Sequence, residues 1–185
     1  MKMKTPSQLR GHAGEMFVCA ELMRRGWLAA PTARGSRAFD LLARRADAPV
    51  FLTIRVKTGH GSFVWSAKTD GTLFLDMQPS GDFIVIVDLP NLGAPDYYVV
   101  PTPTLEGIVQ SNHKRWLKTA GKNGHVHQDT RMRTIWIDED KDKIEHGYAV
   151  TLATYHNAWN LLDDSTENGH DRIHSQPGLQ SLQSS

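Results

Sequence analysis

The order of periodic segments predicts a mixed α/β sandwich, a central β-sheet with helices packed on it. Three observations carry that expectation. Residues 11–26 place apolar side chains at helical spacing, Phe83–Leu89 (FIVIVDL) is an unbroken apolar run of strand length, and Thr102-Pro103-Thr104 has the chemistry of a helix start. Threonine caps the first turn there, and proline tolerates it.

The first helix is predicted over 11–26, with Gly26 as its stop after Arg24 and Arg25. At about 100° per residue Glu15, Val18, Cys19 and Leu22 fall together, and Met16, Ala20 and Met23 extend the same apolar arc. Glu21, Arg24 and Arg25 lie opposite. Glu15 is therefore expected on the buried side, and Glu21 as an ordinary surface acid. Strands are predicted at Trp27–Ala30, Ala38–Ala43, Phe51–Lys57, Phe63–Ser66 and Thr72–Leu75. Along Phe51–Lys57, alternation sends Leu52, Ile54 and Val56 to one face and Thr53, Arg55 and Lys57 to the other. FIVIVDL reads as a strand buried on both faces, and Tyr97–Val100 follows a Pro-Asn-Leu-Gly-Ala-Pro turn. A helix from Thr102 to about Thr119, a polar loop Gly121–Gln128, a strand Arg133–Asp138 and a closing helix His146–Leu162 complete the domain. From Asp163 the chain is polar and aperiodic. The expected organisation is one domain over 1–162 and a disordered tail over 163–185.

A chain of 185 residues is long enough to bury one core without metal or disulfide staples. No apolar run follows MKMKTPSQLR, so no signal peptide is indicated, and no segment approaches bilayer-spanning length. The single Cys19 excludes an internal disulfide and suits a reducing compartment; a cytoplasmic protein is expected. The net charge of +1 hides an asymmetry. Lys2, Lys4, Arg10, Arg24, Arg25, Arg34, Arg37, Arg44 and Arg45 face only Glu15, Glu21 and Asp40 in residues 1–45. Lys114, Arg115, Lys118, Lys122, Arg131 and Arg133 face Asp129 alone in 111–133, before the sign reverses in 138–145 (DEDKDKIE). Such basic clusters suit a phosphate backbone and equally describe a solvated surface.

Two cations on one strand face, beside a buried-side Glu15 and a mid-strand Asp40, are costly unless paired with each other or with a ligand. An Asp40–Arg55 ion pair with Glu15–Lys57 beside it would serve architecture alone, an uneconomical way to stabilise a fold. The same four groups gathered in one place would serve chemistry.

From Gly11 to Lys57, with a helical Glu15, then Asp40, then Arg55-Val56-Lys57 on a strand, the chain resembles the PD-(D/E)xK nuclease superfamily. The likeness is to its small bacterial members and the Holliday-junction resolvase type. There a helical Glu precedes an Asp, which precedes a Glu/Gln-x-Lys strand. Arg55 stands where the family carries Glu or Gln. The resemblance covers residues 11 to about 120, is sharpest over 11–58, and afterwards concerns element order. It implies a restriction-endonuclease-like core (αβββαβ), DNA as substrate, and Mg²⁺ (or Mn²⁺) as cofactor. It also implies Asp40 as central metal ligand, Glu15 as helper, Val56 as carbonyl donor and Lys57 as catalytic cation. Trp65 and Lys68 resemble the groove-lining aromatic and cation of the next strand in such nucleases.

Arg55 decides between two outcomes. A guanidinium at about 4 Å repels a divalent cation by on the order of several kcal/mol at an effective dielectric near 20. In a working metal-dependent endonuclease of restriction, phage defence or repair, Arg55 swings outward to clamp the scissile phosphate and Glu15 supplies the missing carboxylate. In the alternative, Arg55 neutralises Asp40, and a catalytically inactive nuclease-fold module binds nucleic acid or a protein partner. Lys114, Arg115, Lys118, Lys122, Arg131 and Arg133 form the expected groove wall. His60, between Gly59 and Gly61, could reach a phosphate from there, although a turn histidine is the stronger reading. A protein partner would use 138–145 or the tail, and a homodimer is expected because paired sites address two strands. His125 and His127 lack a third ligand and read as solvated loop residues. Trp116, Trp136 and Trp159 are expected in the core, and the buried Cys19 is no nucleophile.

Overall fold

The computed structural model describes residues 6–33, 38–47, 51–74, 81–91, 93–137 and 148–166. The acidic stretch 138–145, Arg34, Arg37, the Lys122 side chain and the tail beyond 166 lie outside the described residues.

Five strands form one mixed sheet in the order β1 (Trp27–Pro31), β2 (Leu41–Arg45), β3 (Phe51–Gly59), β5 (Asp82–Asp88), β6 (Asp96–Pro101). β1–β2, β2–β3 and β5–β6 are antiparallel, whereas β3 and β5 run parallel. The meander is interrupted because β4 (Ser62–Ser66) leaves the sheet after Gly59–Gly61 and pairs with β7 (Met132–Trp136) in a second, two-stranded sheet. β5 is buried along almost its whole length, as its apolar run requires.

Helix α1 (Ser7–Arg24) covers one face of the large sheet, packing Val18 and Leu22 against Leu41, Leu52, Ile54 and Val85. Helix α2 (Thr102–Lys118) covers the other, packing Leu105 and Val109 against Ile84, Ile86 and Phe63. Among the described residues no helix is long and apolar enough to cross a membrane.

The buried face of α1 differs from the predicted arc. Met16 and Met23 are exposed at 45% and 55%, and Ala20 is exposed. Glu21 is largely buried and receives hydrogen bonds from Arg24 and Arg25, which hold its carboxyl below the usual range. Val18, Cys19 and Leu22 are buried while the equally apolar Met16 and Met23 are not, so periodicity alone does not choose the face. Close packing does: a Cβ at Gly14 would lie 1.9 Å from Thr58 Oγ1, and only glycine lets α1 settle this low on β3.

Three further expectations are corrected. Residues Thr72, Leu73 and Phe74 form no strand. The Glu106 carboxylate accepts the N–H groups of Leu73 (3.0 Å) and Phe74 (3.2 Å), while Lys68 Nζ donates to the Phe74 carbonyl (2.7 Å). Side chains thus satisfy the backbone that a ladder would have used. The closing helix is broken into α3 (Tyr148–Ala153) and a helical segment 160–166. Between them Asn157 adopts φ 51°, and the chain pairs with β6 through Tyr155 O···Val99 N (2.9 Å) and Tyr97 O···Asn157 N (2.8 Å). Order also continues past Asp163, which accepts a 2.8 Å bond from Arg45, to the buried Thr166.

Candidate active site

Asp40 sits on a bend just ahead of β2, not within a strand. Its backbone is held on both sides: Thr32 N–H donates to its carbonyl (2.9 Å), and its own N–H donates to the Ile54 carbonyl (2.9 Å). The side chain then does what a strand residue would do, Oδ2 accepting the Val56 N–H at 2.7 Å. Burial raises the Asp40 pKa, the Val56 hydrogen bond opposes that, Glu15 adds a further rise and Arg55 a Coulombic pull downward. Extended backbone sends the N–H and C=O of one residue to the same side. The Val56 carbonyl therefore faces the Asp40 edge of β3.

Alternation along β3 puts Arg55 and Lys57 on the α2 side of the sheet, and both line a cavity of about 230 Å³ with Asp40, Trp65, Lys68 and Phe74. Lys57 Nζ lies 5.2 Å from the Trp65 ring centroid. Among the described residues no carboxylate is within ion-pair distance of it, and burial lowers its pKa. Arg55 is also largely buried, over the Phe74 ring at 5.7 Å, and its guanidinium bonds Asp82 Oδ1. Neither of the architectural ion pairs forms: Arg55 pairs with Asp82 rather than Asp40, and Glu15 with His12 rather than Lys57.

Glu15 approaches from α1, its Oε2 3.0 Å from His12 Nδ1. With His12, Thr32 and Asp40 it lines a larger cavity of about 770 Å³. Asp40 is common to both cavities, and Glu15 is close enough to raise its pKa. Asp40 thus lies where two cavities meet, with Glu15 on the wall of one and Arg55 and Lys57 on the wall of the other. Among the described residues no group of three or more His, Cys, Asp or Glu side chains is arranged to hold a metal ion. Asp40, Glu15 and the Val56 carbonyl are the oxygen donors that could be offered to a cation here. That set suits a hard cation such as Mg²⁺, which keeps several waters and takes one or two carboxylates together with substrate oxygens.

The remaining sequence candidates divide. Trp65 and Lys68 line the site, Lys68 with its ammonium bound to the Phe74 carbonyl. His60 does not line it; its Nδ1 meets Asp88 Oδ1 at 2.9 Å in the turn after β3, beside Gly61 N–H on the same oxygen. Lys114, Arg115 and Lys118 are exposed on the last turns of α2, and Arg131 is exposed with Nε on the Ala67 carbonyl (2.8 Å). Arg133 is corrected: it is 6% exposed, with its guanidinium on the Thr130 carbonyl and 3.5 Å from Asp129, so it offers no surface to a phosphate. Trp159 is buried as expected, but Trp116 and Trp136 are only half-buried, Trp116 being stacked between His113 and His127 at 5.4 and 4.0 Å. His127 is therefore a packing residue. Sequence reading missed Asp82, Glu106 and His12. Asp82 stood at the head of the apolar run Phe83–Leu89, where a lone acid carries a signal once the neighbouring strand is known.

No family model matches the chain, and no curated protein matches it in sequence. Among solved structures the chain is similar to a bacterial homing endonuclease, at 18% identity over 91% of this chain and 99% of that one, with a TM-score of 0.47. It is also similar to a Holliday junction resolvase from the archaeal hyperthermophile Archaeoglobus fulgidus, at 15% identity over 68% of this chain and 83% of that one, with a TM-score of 0.38.

Proposed function

We propose that this protein is a divalent-metal-dependent endonuclease of PD-(D/E)xK type that hydrolyses DNA phosphodiester bonds. The observation that carries the reading is the meeting of Asp40 and Lys57 in one cavity while Arg55 is engaged by Asp82. A divalent cation, when bound, would supply charge neutralisation at the phosphoryl oxygens and acidify water. Asp40 and Glu15 would hold it, with the Val56 N–H fixing the Asp40 carboxylate in orientation. Lys57, held beside Trp65 with no carboxylate at ion-pair distance among the described residues, would orient the attacking water and stabilise charge building on the phosphate. Trp65 and Phe74 would exclude bulk water from the reacting groups.

A supercoiled-plasmid nicking assay with Mg²⁺ and Mn²⁺ tests this on the wild type and Asp40→Asn. Nicking is expected only from the wild type. Cleavage that persists in the variant would sink the assignment. Asparagine can still accept the Val56 N–H, and the fold should gain from it. The Asp40 pKa is raised on folding, so ionisation costs stability at every pH above its folded value. At neutral pH Asp40→Asn should therefore melt higher than the wild type while cutting nothing. Because protons compete for the same carboxylate, metal affinity should begin to fall at a higher pH than the ordinary aspartate value of about 3.9 implies.

Lys114, Arg115, Lys118 and Arg131 would carry the DNA backbone. Replacing Lys114 and Lys118 by alanine should weaken binding evenly across sequences and reduce the log–log salt slope by about 1 for each lost phosphate contact, measured by fluorescence anisotropy. An unchanged slope would remove α2 from the groove. Two copies would address the two strands of a duplex; a monomeric mass by light scattering at high concentration would remove the homodimer.

A further inference from the structure

The charge of Arg55 is a difficulty for any cation beside Asp40, and β5 holds its answer. Parallel pairing sets Thr53 opposite Asp82, so the Asp82 side chain emerges on the face that carries Arg55. It is 1% exposed, and one oxygen takes every bond: Oδ1 accepts from Arg55 and from the hydroxyls of Thr53 and Thr102, each at 3.3 Å. Oδ2 is buried and, among the described residues, has no hydrogen-bond partner. A carboxylate buried this deeply, half satisfied and ion-paired, adds little to stability by itself.

We infer that Asp82 is a positioning residue for the site, holding Arg55 against β5 and cancelling its charge so that a divalent cation can bind at Asp40 and Glu15. The inference rests on the nuclease reading above. Arg55, Lys57 and Lys68 set three cations against the carboxylates of Asp40 and Glu15, so an unopposed guanidinium works against a cation there. Asp82 offsets the Arg55 charge by direct contact and brings the set to neutrality. It also takes the guanidinium as a direct partner, leaving Arg55 with a Coulombic pull on Asp40 and leaving the Asp40 carboxylate hydrogen-bonded to the Val56 N–H. Arg55 is thus held by Asp82 beside the site rather than bonded to the Asp40 carboxylate.

Calorimetric titration of the full chain with Mg²⁺ and with Mn²⁺, without DNA, tests it in four proteins: wild type, Asp82→Asn, Arg55→Gln and the double variant. Asp82→Asn, which keeps the shape and the hydroxyl contacts, should bind metal about tenfold or more weakly, because the Arg55 charge is no longer cancelled. Arg55→Gln should bind at least as tightly as the wild type. The double variant should match Arg55→Gln within about threefold, since the charge that needed Asp82 is gone. A purely structural Asp82 would lower the melting temperature of both Asp82→Asn proteins, and removing Arg55 would not restore metal affinity. Wild-type-like binding by Asp82→Asn, within about threefold, overturns the inference and leaves the nuclease reading intact. Absence of binding by the wild type overturns both. If Asp82→Asn alone does not fold, the comparison of the double variant with Arg55→Gln decides: agreement within about threefold supports the inference, and a larger loss overturns it.

Discussion

Lys57→Met is expected to lower plasmid nicking by about 10³-fold, the scale of losing a positioned catalytic cation, while the protein melts at a higher temperature than the wild type. Methionine keeps the length and packs on Trp65 and Phe74, so the cavity wall survives. The stability gain follows from the direction of the lysine pKa. Burial lowers it in the folded state, so at any pH below that value both states are protonated and the charge costs stability in the fold. The cost disappears only above the unfolded value of about 10.4. Because Lys57 has no carboxylate partner among the described residues, its removal orphans none. A variant that loses activity and gains stability marks a residue retained for chemistry. Equal nicking by Lys57→Met, or a lower melting point, would show that the lysine is structural.

Gly14→Ala is expected to destabilise the fold by about 1–3 kcal/mol, the cost of overpacking a closed contact. In an open helix the same change gains up to about 1 kcal/mol, because alanine is the better helix former. Here the new methyl would lie 1.9 Å from Thr58 Oγ1, 2.9 Å from its Cβ and 3.0 Å from its Cγ2, and a short branched side chain on a central strand cannot swing clear of all three. Overpacking wins, and α1 has to lift. Gly11, three residues earlier on the same helix, supplies the control, since a Cβ there meets nothing within 4 Å. Gly11→Ala should stabilise where Gly14→Ala destabilises, both read from urea unfolding. Adding Thr58→Ala to Gly14→Ala should recover part of the loss. Glu15 rides on the lifted segment, so Gly14→Ala should also weaken metal binding while leaving Asp40 and Lys57 in place on their own strands.

Much of this architecture was legible because alternation and helical spacing are local. They located α1, β3, β5 and the start of α2, and they put Arg55 and Lys57 on one strand face. What was illegible is non-local. No local pattern reveals that β3 and β5 are parallel with Thr53 opposite Asp82, so the partner of Arg55 was sought at Asp40 instead. The face of α1 was misread because Met16 and Met23 are as apolar as Val18 and Leu22; the glycine at 14 held the answer, through a contact with residue 58. A strand was expected at Thr72–Leu75 because the ability of Glu106 to take the backbone N–H groups of Leu73 and Phe74 depends on a helix that packs there only in three dimensions. Arg133 read as a surface cation by composition and became a buried one by register with Trp65.

The break in the closing helix has a consequence for self-association. β6 is the last strand of the large sheet, and the short bridge through Tyr155, His156 and Asn157 occupies its outer hydrogen-bonding groups, as a doorstop occupies a gap. Strand-on-strand growth by another chain is blocked on that side. At the opposite end β1 pairs only with β2 among the described residues, is five residues long and closes on Pro31, which has no N–H to donate. Among the described residues β1 is therefore the edge of this sheet left open to another strand, and it is a short one that proline terminates, so geometry restrains polymerisation there.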